Sequence, residues 1–399
     1  MEKHNLHALI ATHPVNVFYA SEFPKHPLCA TAPTPCLCDV PVYVILSLEK
    51  DIEPAIIVPM IQIDYLFSSS TWIKDVRYYG SFFINEAEGL NLESLPPIGK
   101  RLAEVYRSVE RGKELFVVLK ETLDEKGLSS SRLGLDEGGL NPTTFQKVVK
   151  ELPDAEIVDG TGIFYETRLV KTPEEIERMK KGAEINVRAI EVVNDALKEG
   201  VTEQEMWELY DSEVRKDGAF NVYPIVAAGP CYSAVVLSPG FKPSGRPLER
   251  GDIIRIDCDL IYDYYFSDVA RSGVIGEASG TKKRYHEALH AGFERAQEAI
   301  KPGVKPSKIF RIAVDTIRNS GIPAYDRPVC GHGIGIECYN PLLSISPKSN
   351  IPLEEGMTLN LETPYYELGL GGYNLENTIL VTRNGHEILS DFSTELRIY

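Results

Sequence analysis

Five residues of the kinds that bind divalent metals follow one another along the last third of this chain. They are Asp257, Asp268, His332, Glu362 and Glu376. Four carboxylates and one imidazole form an oxygen-rich, moderately hard ligand set, which suits Mn, Co, Fe or Zn better than copper or a sulfur cluster. Two ions about 3.5–4 Å apart can share such carboxylates and activate a water molecule. The ordered set therefore predicts a hydrolytic site that holds two divalent metal ions.

The first two carboxylates lie in two apolar, β-rich runs on either side of a turn candidate, Tyr262-Asp263. A two-residue hairpin centred there would place Asp257 directly opposite Asp268 on one face of the sheet. Like charges directly opposite each other destabilise paired strands, and a bound cation is the simplest compensation.

The other three ligand candidates also lie in contexts that fix their position. Glu362 and Glu376 flank a glycine-rich turn, and in a hairpin centred on Gly369 they would face each other. His332 lies in Gly331-His-Gly-Ile-Gly335, whose glycines allow close backbone approach and unusual dihedral angles. This segment predicts a rigid loop that presents the imidazole.

Helices are predicted between these strands. The first 160 or so residues alternate apolar runs with helical stretches, which is an α/β pattern. Thr172-Pro-Glu-Glu predicts the start of a helix, with a Thr cap, Pro at the first position and acids in the first turn. A pair of helices followed by a pair of strands then occurs twice, which predicts an internal two-fold repeat. The predicted helices are Thr172 to Lys198, Thr202 to Asp217, Lys282 to Lys301 and Pro306 to Ser320.

Length and composition limit the class of protein. A chain of 399 residues is expected to form two domains, and a net charge of -16 argues against a nucleic-acid-binding surface. The start of the chain lacks the apolar core of a signal peptide, and no 18-residue apolar run predicts a membrane span, so the default expectation is a cytoplasmic protein. Seven cysteines favour reduced thiols over a disulfide framework, and Cys29, Cys36 and Cys38 lack the spacing of a zinc site.

Together these motifs resemble the methionine aminopeptidase/prolidase/creatinase superfamily, the pita-bread metallopeptidases, most closely the prolidase and creatinase-like branch. In that family the ligands are an Asp, a second Asp eleven residues later, the His of Gly-His-Gly, a Glu before a Pro-containing turn and a Glu near the C-terminus. All five contexts occur here, and the resemblance covers nearly the whole chain. It implies a creatinase-like α/β domain at residues 1-163, followed by a pita-bread catalytic domain with a pseudo-two-fold repeat at residues 164-399.

The resemblance also implies a homodimer in which the N-terminal domain of one subunit closes the site of the other. Candidates for such a closing loop are His13-Pro14 and the proline-rich residues 24–35, although a plain surface loop is the simpler interpretation. Glu362 is the expected general base and proton shuttle, because its family counterpart contacts the metal-bridging water.

Three substrate-contacting positions depart from the family pattern. The His that follows the Gly-His-Gly His by seven residues is Tyr339 here, either a donor to the developing oxyanion or a packing aromatic. An upstream family His is missing from the stretch that begins at Ser233. Asn374 replaces an Arg that binds the substrate carboxylate or supports the site in prolidase-like members, and Asn lacks the charged fork of Arg.

Other residues near the ligand segments are candidates for supporting roles. Asp259 points to the same face as Asp257, so it is either an extra ligand or a hydrogen-bonding partner, and its Ile-Asp-x-Asp-Leu segment also resembles that of the dimethylsulfoniopropionate lyases. Tyr232 and Tyr366 lie in the site segments, where they would either bind a small polar or cationic substrate or pack as half-buried strand aromatics.

Three classes of function stay open from the sequence. The leading expectation is a metallohydrolase similar to Xaa-Pro dipeptidase or aminopeptidase, which cleaves an amide bond of a short peptide or small molecule with a water activated by two metal ions. The second is a creatinase-like or ectoine-hydrolase-like C–N hydrolase, or a lyase, which the altered substrate residues favour. The third is an inactive peptide-binding module, against which the retention of all five ligands argues.

Overall fold

The computed structural model describes residues 1–23, 40–64, 71–234 and 243–399. It forms two compact units, Met1–Phe164 and Tyr165–Tyr399. Within the described residues no helix is both long and apolar enough to cross a membrane. Several features named from the sequence lie outside the described residues: the segment 24–35, most of the stretch after Ser233, and the cysteines Cys29, Cys36 and Cys38.

The first unit is built on a six-stranded mixed sheet with the order β4-β3-β2-β1-β5-β6. Side chains of its central strand alternate between two apolar clusters, since Leu9 and Ala11 belong to one and Ala8 and Ile10 to the other. The sheet is therefore buried on both faces. Its strands are β1 Ala8–Ala11, β2 Tyr43–Ser47, β3 Ala55–Pro59, β4 Asp75–Tyr79, β5 Arg132–Leu135 and β6 Glu156–Asp159. The helices are α1 Pro14–Ser21, α2 Pro97–Ser108, α3 Leu115–Glu125, α4 Pro142–Glu151 and α5 Thr161–Thr167.

The second unit carries a larger sheet and two long helix pairs. The helices are α6 Pro173–Ala196, α7 Glu203–Arg215, the short α8 Gly229–Tyr232, α9 Gly280–Glu298 and α10 Pro306–Ser320. The strands are β7 Phe220–Ala228, β8 Ile253–Tyr262, β9 Tyr265–Val274, β10 Gly331–Gly333, β11 Asn340–Ser344, β12 Thr358–Glu362, β13 Tyr365–Glu367, β14 Gly371–Tyr373, β15 Glu376–Thr382, β16 Gly385–Ile388 and β17 Arg397–Ile398. The four predicted helices are present, and both members of the first pair begin with a capping box, at Thr172 and Thr202.

The predicted repeat of two helices and two strands is present in this unit. Helices α6 and α7 and strand β8 share one apolar cluster, in which Ile185 packs with Tyr210 and Ile254. Helices α9 and α10 pack with β12 and β15 in a second cluster around Phe293 and Ile317. The sheet order β11-β10-β12-β15-β9-β8-β7 brings the two hairpins together where β15 pairs with β9. The strands that carry the acidic residues therefore lie side by side.

The predicted register of the first hairpin was wrong by one turn position. The turn is Asp263-Tyr264, where both residues have positive φ values of 44° and 72°, as in a type I′ turn that suits the twist of paired strands. Asp268 consequently faces Asp259, and Asp257 is its diagonal neighbour on the same face. The second hairpin has the predicted register, with Glu362 opposite Glu376.

Gly331, next to His332, provides a test of how tightly the histidine strand is held. It has a φ of +137°, and a Cβ there would lie 2.0 Å from the carbonyl oxygen of Asn360. Gly200 has a φ of +90° with open space around it, so Gly200→Ala is a matched control for backbone strain alone. We expect Gly200→Ala to lower the free energy of unfolding by about 1–2 kcal/mol, and Gly331→Ala to lower it by a further ~1–3 kcal/mol, because the facing strand must shift.

Urea unfolding followed by circular dichroism measures both values. Equal decreases in the free energy of unfolding for the two variants would show that the strand of Asn360 moves away from position 331 without an energetic cost.

Candidate metal centre

Five neighbouring strands of the second unit each contribute one of the predicted metal ligands. In sheet order β10, β12, β15, β9 and β8, these residues are His332, Glu362, Glu376, Asp268 and Asp257. Residues so far apart in sequence meet because the two hairpins pair through β9 and β15. The structure thus brings the whole predicted set together at the middle of the sheet.

The distances within the set are those of a compact cluster. Carboxylate oxygens of Asp257, Asp268 and Glu376 lie within 4.8 Å of one another. His332 Nε2 is 3.5 Å from Asp268 Oδ2 and 3.8 Å from Glu376 Oε1. Glu362 is linked to the other carboxylates by Asn374, whose Nδ2 lies 3.5 Å from Glu362 Oε2.

Burial makes this cluster electrostatically unfavourable for the protein alone. Burial, and after it the charge of the neighbouring Asp257, raise the pKa of Glu362 to about 7. The pKa values of Asp268 and Glu376 also lie well above the ordinary range, mainly through burial and then through the other carboxylates. For His332, burial lowers the pKa to about 4, so its imidazole is neutral at pH 7, and a neutral imidazole is the form that binds metals.

A divalent cation fits this arrangement of donors. Asp268 is buried, and its Oδ1 has no hydrogen-bond partner among the described residues. Buried polar atoms are normally paired, and a buried carboxylate without a donor is costly unless a cation balances it. Oxygen and imidazole donors that converge within ligand distance supply that balance to a metal ion.

Two buried side chains fix the carboxylates in place. Arg255 is fully buried, and its Nη1 donates hydrogen bonds to Asp257 Oδ2 and to the Tyr366 hydroxyl, both at 3.0 Å. Asn374 is 1 % exposed and donates from Nδ2 to Asp257 Oδ2 at 3.3 Å and to Glu376 Oε2 at 3.2 Å. The amide of Asn374, which the sequence predicts to bind substrate, is thus directed at the carboxylates.

The predicted aromatic site residues differ in their position. The ring of Tyr339 lies 4.0 Å from that of His332, centroid to centroid, while 65 % of the residue is exposed. Tyr366 lies beside the cluster through its bond to Arg255. Tyr232 ends the short helix α8 and is half exposed, and no hydrogen bond or ring contact within the described ranges joins it to the carboxylates.

Analysis of the sequence missed two residues at the edge of the cluster, Arg255 and Arg327. Arg255 precedes Asp257 by two positions on the same strand, so its shared face was the available indication. Arg327 stacks over the ring of Tyr366 at 5.2 Å, lowers the pKa of Glu362 against the effect of burial, and has a buried Nε without a partner among the described residues. Cys338, six positions after His332 in the sequence, has its sulfur within 4.8 Å of ligand atoms of His332 and Asp268.

Comparisons with known proteins agree with this geometry. The model of metallopeptidase family M24 matches residues 177–383. The Xaa-Pro dipeptidase of Pyrococcus furiosus is 29 % identical over 284 residues, which cover 71 % of this chain and 78 % of that protein.

Solved structures show the same fold. The X-Pro aminopeptidase of Thermotoga maritima has a TM-score of 0.77 at 24 % identity and covers 99 % of this chain and 98 % of its own. The prolidase of Pyrococcus furiosus has a TM-score of 0.75 at 24 % identity, with 98 % of each chain covered. These similarities confirm the predicted α/β fold class, with an N-terminal domain followed by a pita-bread domain.

The excess of buried acid predicts an unusual effect on stability. In metal-free protein, Asp268→Asn should raise the free energy of unfolding by roughly 1 kcal/mol, somewhat less than the equivalent of one pKa unit, because it removes one of several like charges. Asp252 is an equally buried aspartate, but its Oδ2 accepts a hydrogen bond from Arg246 Nη1 at 2.6 Å. The control Asp252→Asn should therefore lower the stability by about 1.5–3 kcal/mol.

Denaturant unfolding in the presence of a chelator measures both changes. An equal loss of stability in the two variants would mean that Asp268 is a stabilising structural residue.

Proposed function

Because the chain belongs to metallopeptidase family M24, whose model matches residues 177–383, we propose that this metal-dependent peptidase cleaves the Xaa-Pro bond of short peptides. The observation that carries the proposal is the convergence of five potential ligands from five neighbouring strands. The relative from Pyrococcus furiosus is an Xaa-Pro dipeptidase, which supports this choice of substrate. These similarities favour neither the C–N hydrolase or lyase alternative nor an inactive binding module.

Two divalent ions, of Mn, Co, Fe or Zn, would be held by Asp257, Asp268, His332, Glu362 and Glu376. Two overlapping groups of ligand atoms support this number, since Asp268 lies in both, once with Asp257 and Glu376 and once with His332. Bound metal would supply a water of lowered pKa and polarise the scissile carbonyl.

Within this site we assign to Glu362 the transfer of a proton from the attacking water to the leaving group. Its carboxylate would accept a proton from the attacking water at Oε2 and pass it to the leaving nitrogen. Asn374 holds that oxygen from 3.5 Å, and Ser272 Oγ in turn accepts a hydrogen bond from the backbone N–H of Asn374 at 2.9 Å. The geometry of the base is thus fixed by a chain of hydrogen bonds that begins in the strand β9.

The side chains at the edge of the cluster would orient the peptide. We assign the terminal carboxylate of the substrate to Arg327, whose planar guanidinium can bind both oxygens and which lies over Tyr366. On the other side, Tyr339 lies against His332 with most of its surface exposed, where its hydroxyl can donate to the developing oxyanion. The extra ligand role of Asp259 stays a prediction, as do the homodimer and the cytoplasmic location.

The first test combines metal content with peptide turnover. We expect about two metal ions per chain by elemental mass spectrometry, and hydrolysis of an Xaa-Pro dipeptide after addition of Mn or Co. Glu362→Gln should lower kcat by at least about 100-fold, the contribution of a general base, while metal binding largely survives.

Glu367→Gln provides the matched control, because Glu367 lies in the adjacent hairpin and accepts a hydrogen bond from Tyr365 outside the carboxylate cluster. Equal turnover in the Glu362 variant and the control would refute the assignment of the base. Bound metal without any turnover of Xaa-Pro peptides would redirect the search to other amides.

The role of Arg327 is tested by removing the charge either from the arginine or from the terminal carboxylate of the substrate. Arg327→Met should lower kcat/KM for an Xaa-Pro dipeptide by about 10- to 100-fold, corresponding to the loss of a hydrogen bond to a charged group. The same variant should leave kcat/KM nearly unchanged for a dipeptide amide, in which the terminal carboxylate of the Xaa-Pro dipeptide is replaced by a carboxamide.

Arg311→Met, at an exposed position of α10, is the control for loss of a surface charge. An equal decrease in kcat/KM for the dipeptide and for the dipeptide amide would show that Arg327 supports the fold of the site and does not recognise the carboxylate.

A further inference from the structure

A thiol lies among the ligand candidates on the His332 side of the cluster. The sulfur of Cys338, a ring nitrogen of His332 and a carboxylate oxygen of Asp268 all lie within 4.8 Å of one another. Ligand atoms of a single tetrahedral ion are about 3.5 Å apart when the metal bonds are 2.0–2.3 Å long. Small side-chain rotations would therefore allow the three atoms to bind one ion.

The loop that carries Cys338 is anchored in the residues just before the cysteine. The backbone N–H of Phe266, on the strand β9, donates to Gly335 O at 2.8 Å, and Gly335 N donates to Glu337 O at 3.0 Å. The neighbouring Glu337 forms a 2.5 Å ion pair with the buried Arg168. A ligand on such a fixed loop needs little ordering when an ion binds.

A second observation at this place also points to a cation. Asp268 Oδ1 is buried and has no hydrogen-bond partner within the described ranges. Cys338 Sγ lies 3.8 Å from Asp259 Oδ2, and Asp259 faces Asp268 across the hairpin. The thiol therefore lies next to two acidic side chains, Asp259 and Asp268. Among the described residues, none donates a hydrogen bond to Oδ1 of Asp268.

We propose that Cys338 is a ligand of the metal ion on the His332 side, together with His332 and Asp268. The inference rests on the metal centre of the proposed function and deepens it. The sulfur binds as a thiolate, so its proton leaves to the solvent when the ion enters. Asp259 accepts the S–H hydrogen bond before the ion binds.

This ligand set makes the two halves of the centre chemically unequal. The group formed by Asp257, Asp268 and Glu376 offers oxygen only, which suits Mn. The group with Cys338 offers sulfur, nitrogen and oxygen, which suits Zn, Co or Fe. The site on the His332 side is thus selective for a thiophilic divalent ion.

Cobalt tests this ligand directly, because a Co–thiolate bond gives a charge-transfer band in the near ultraviolet that oxygen and imidazole ligands do not give. We expect the band in the cobalt-loaded wild-type chain and its loss in both Cys338→Ser and Cys338→Ala. Cys231→Ser is the matched control, since Cys231 is an exposed free thiol on α8, and it should keep the band. Zinc affinity should fall by at least about tenfold in the Cys338 variants, whereas manganese affinity should stay unchanged.

The outcomes separate this inference from the proposed function. Bound cobalt without the band, or a band that persists in folded Cys338→Ser, overturns the thiolate ligand and leaves the metal centre intact. A wild-type chain that binds no cobalt overturns both. Circular dichroism and melting temperature show whether each variant is folded, and the use of two replacements prevents a single misfolded variant from deciding the result.

Discussion

The repulsion between buried carboxylates is the constraint to which the second unit of this protein is adapted. Two like charges about 4 Å apart repel by about 4 kcal/mol at an effective dielectric constant of 20. The sheet nevertheless places Asp257, Asp268 and Glu376 within 4.8 Å of one another. The chain tolerates this because apolar packing on each helix pair, around Tyr210 and Phe293, fixes the strands independently of the charges. Stability is given up at the centre so that a cation can restore it, a common trade at functional sites.

Local chemistry explains which parts of this structure could be predicted from the sequence. The helices α6 and α7 begin where expected because Thr172 and Thr202 each form a capping box with an acid three residues later. The facing pair Glu362 and Glu376 was predictable because a glycine turn marks the centre of its hairpin. The first hairpin was misplaced because its turn puts Tyr264 at a φ of 72°, a conformation that Tyr rarely adopts and that composition does not indicate.

The edge of the site could be predicted only in part, for a different reason. Arg327 and Cys338 approach the carboxylates through segments before and after β10 whose paths depend on contacts made elsewhere in the unit. Such placements depend on tertiary packing and not on periodicity, propensity or spacing. Their chemistry is also divided: the guanidinium lies beside Tyr366, whereas the thiol lies beside His332. The two sides of the same cluster therefore differ in chemistry, with a guanidinium on one and a sulfur on the other.

Asn374 shares a hydrogen-bond acceptor with Arg255. Arg255 Nη1 and Asn374 Nδ2 both donate to the same oxygen, Asp257 Oδ2, at 3.0 and 3.3 Å. A second guanidinium at position 374 would compete with Arg255 for that oxygen and place like charges together in a buried space. The neutral amide of Asn374 donates hydrogen bonds to the carboxylates without this cost. The positive charge beside Asp257 comes from Arg255, on the strand β8. Asn at position 374 is thus compatible with an intact ligand set, because Arg255 supplies the positive charge beside Asp257.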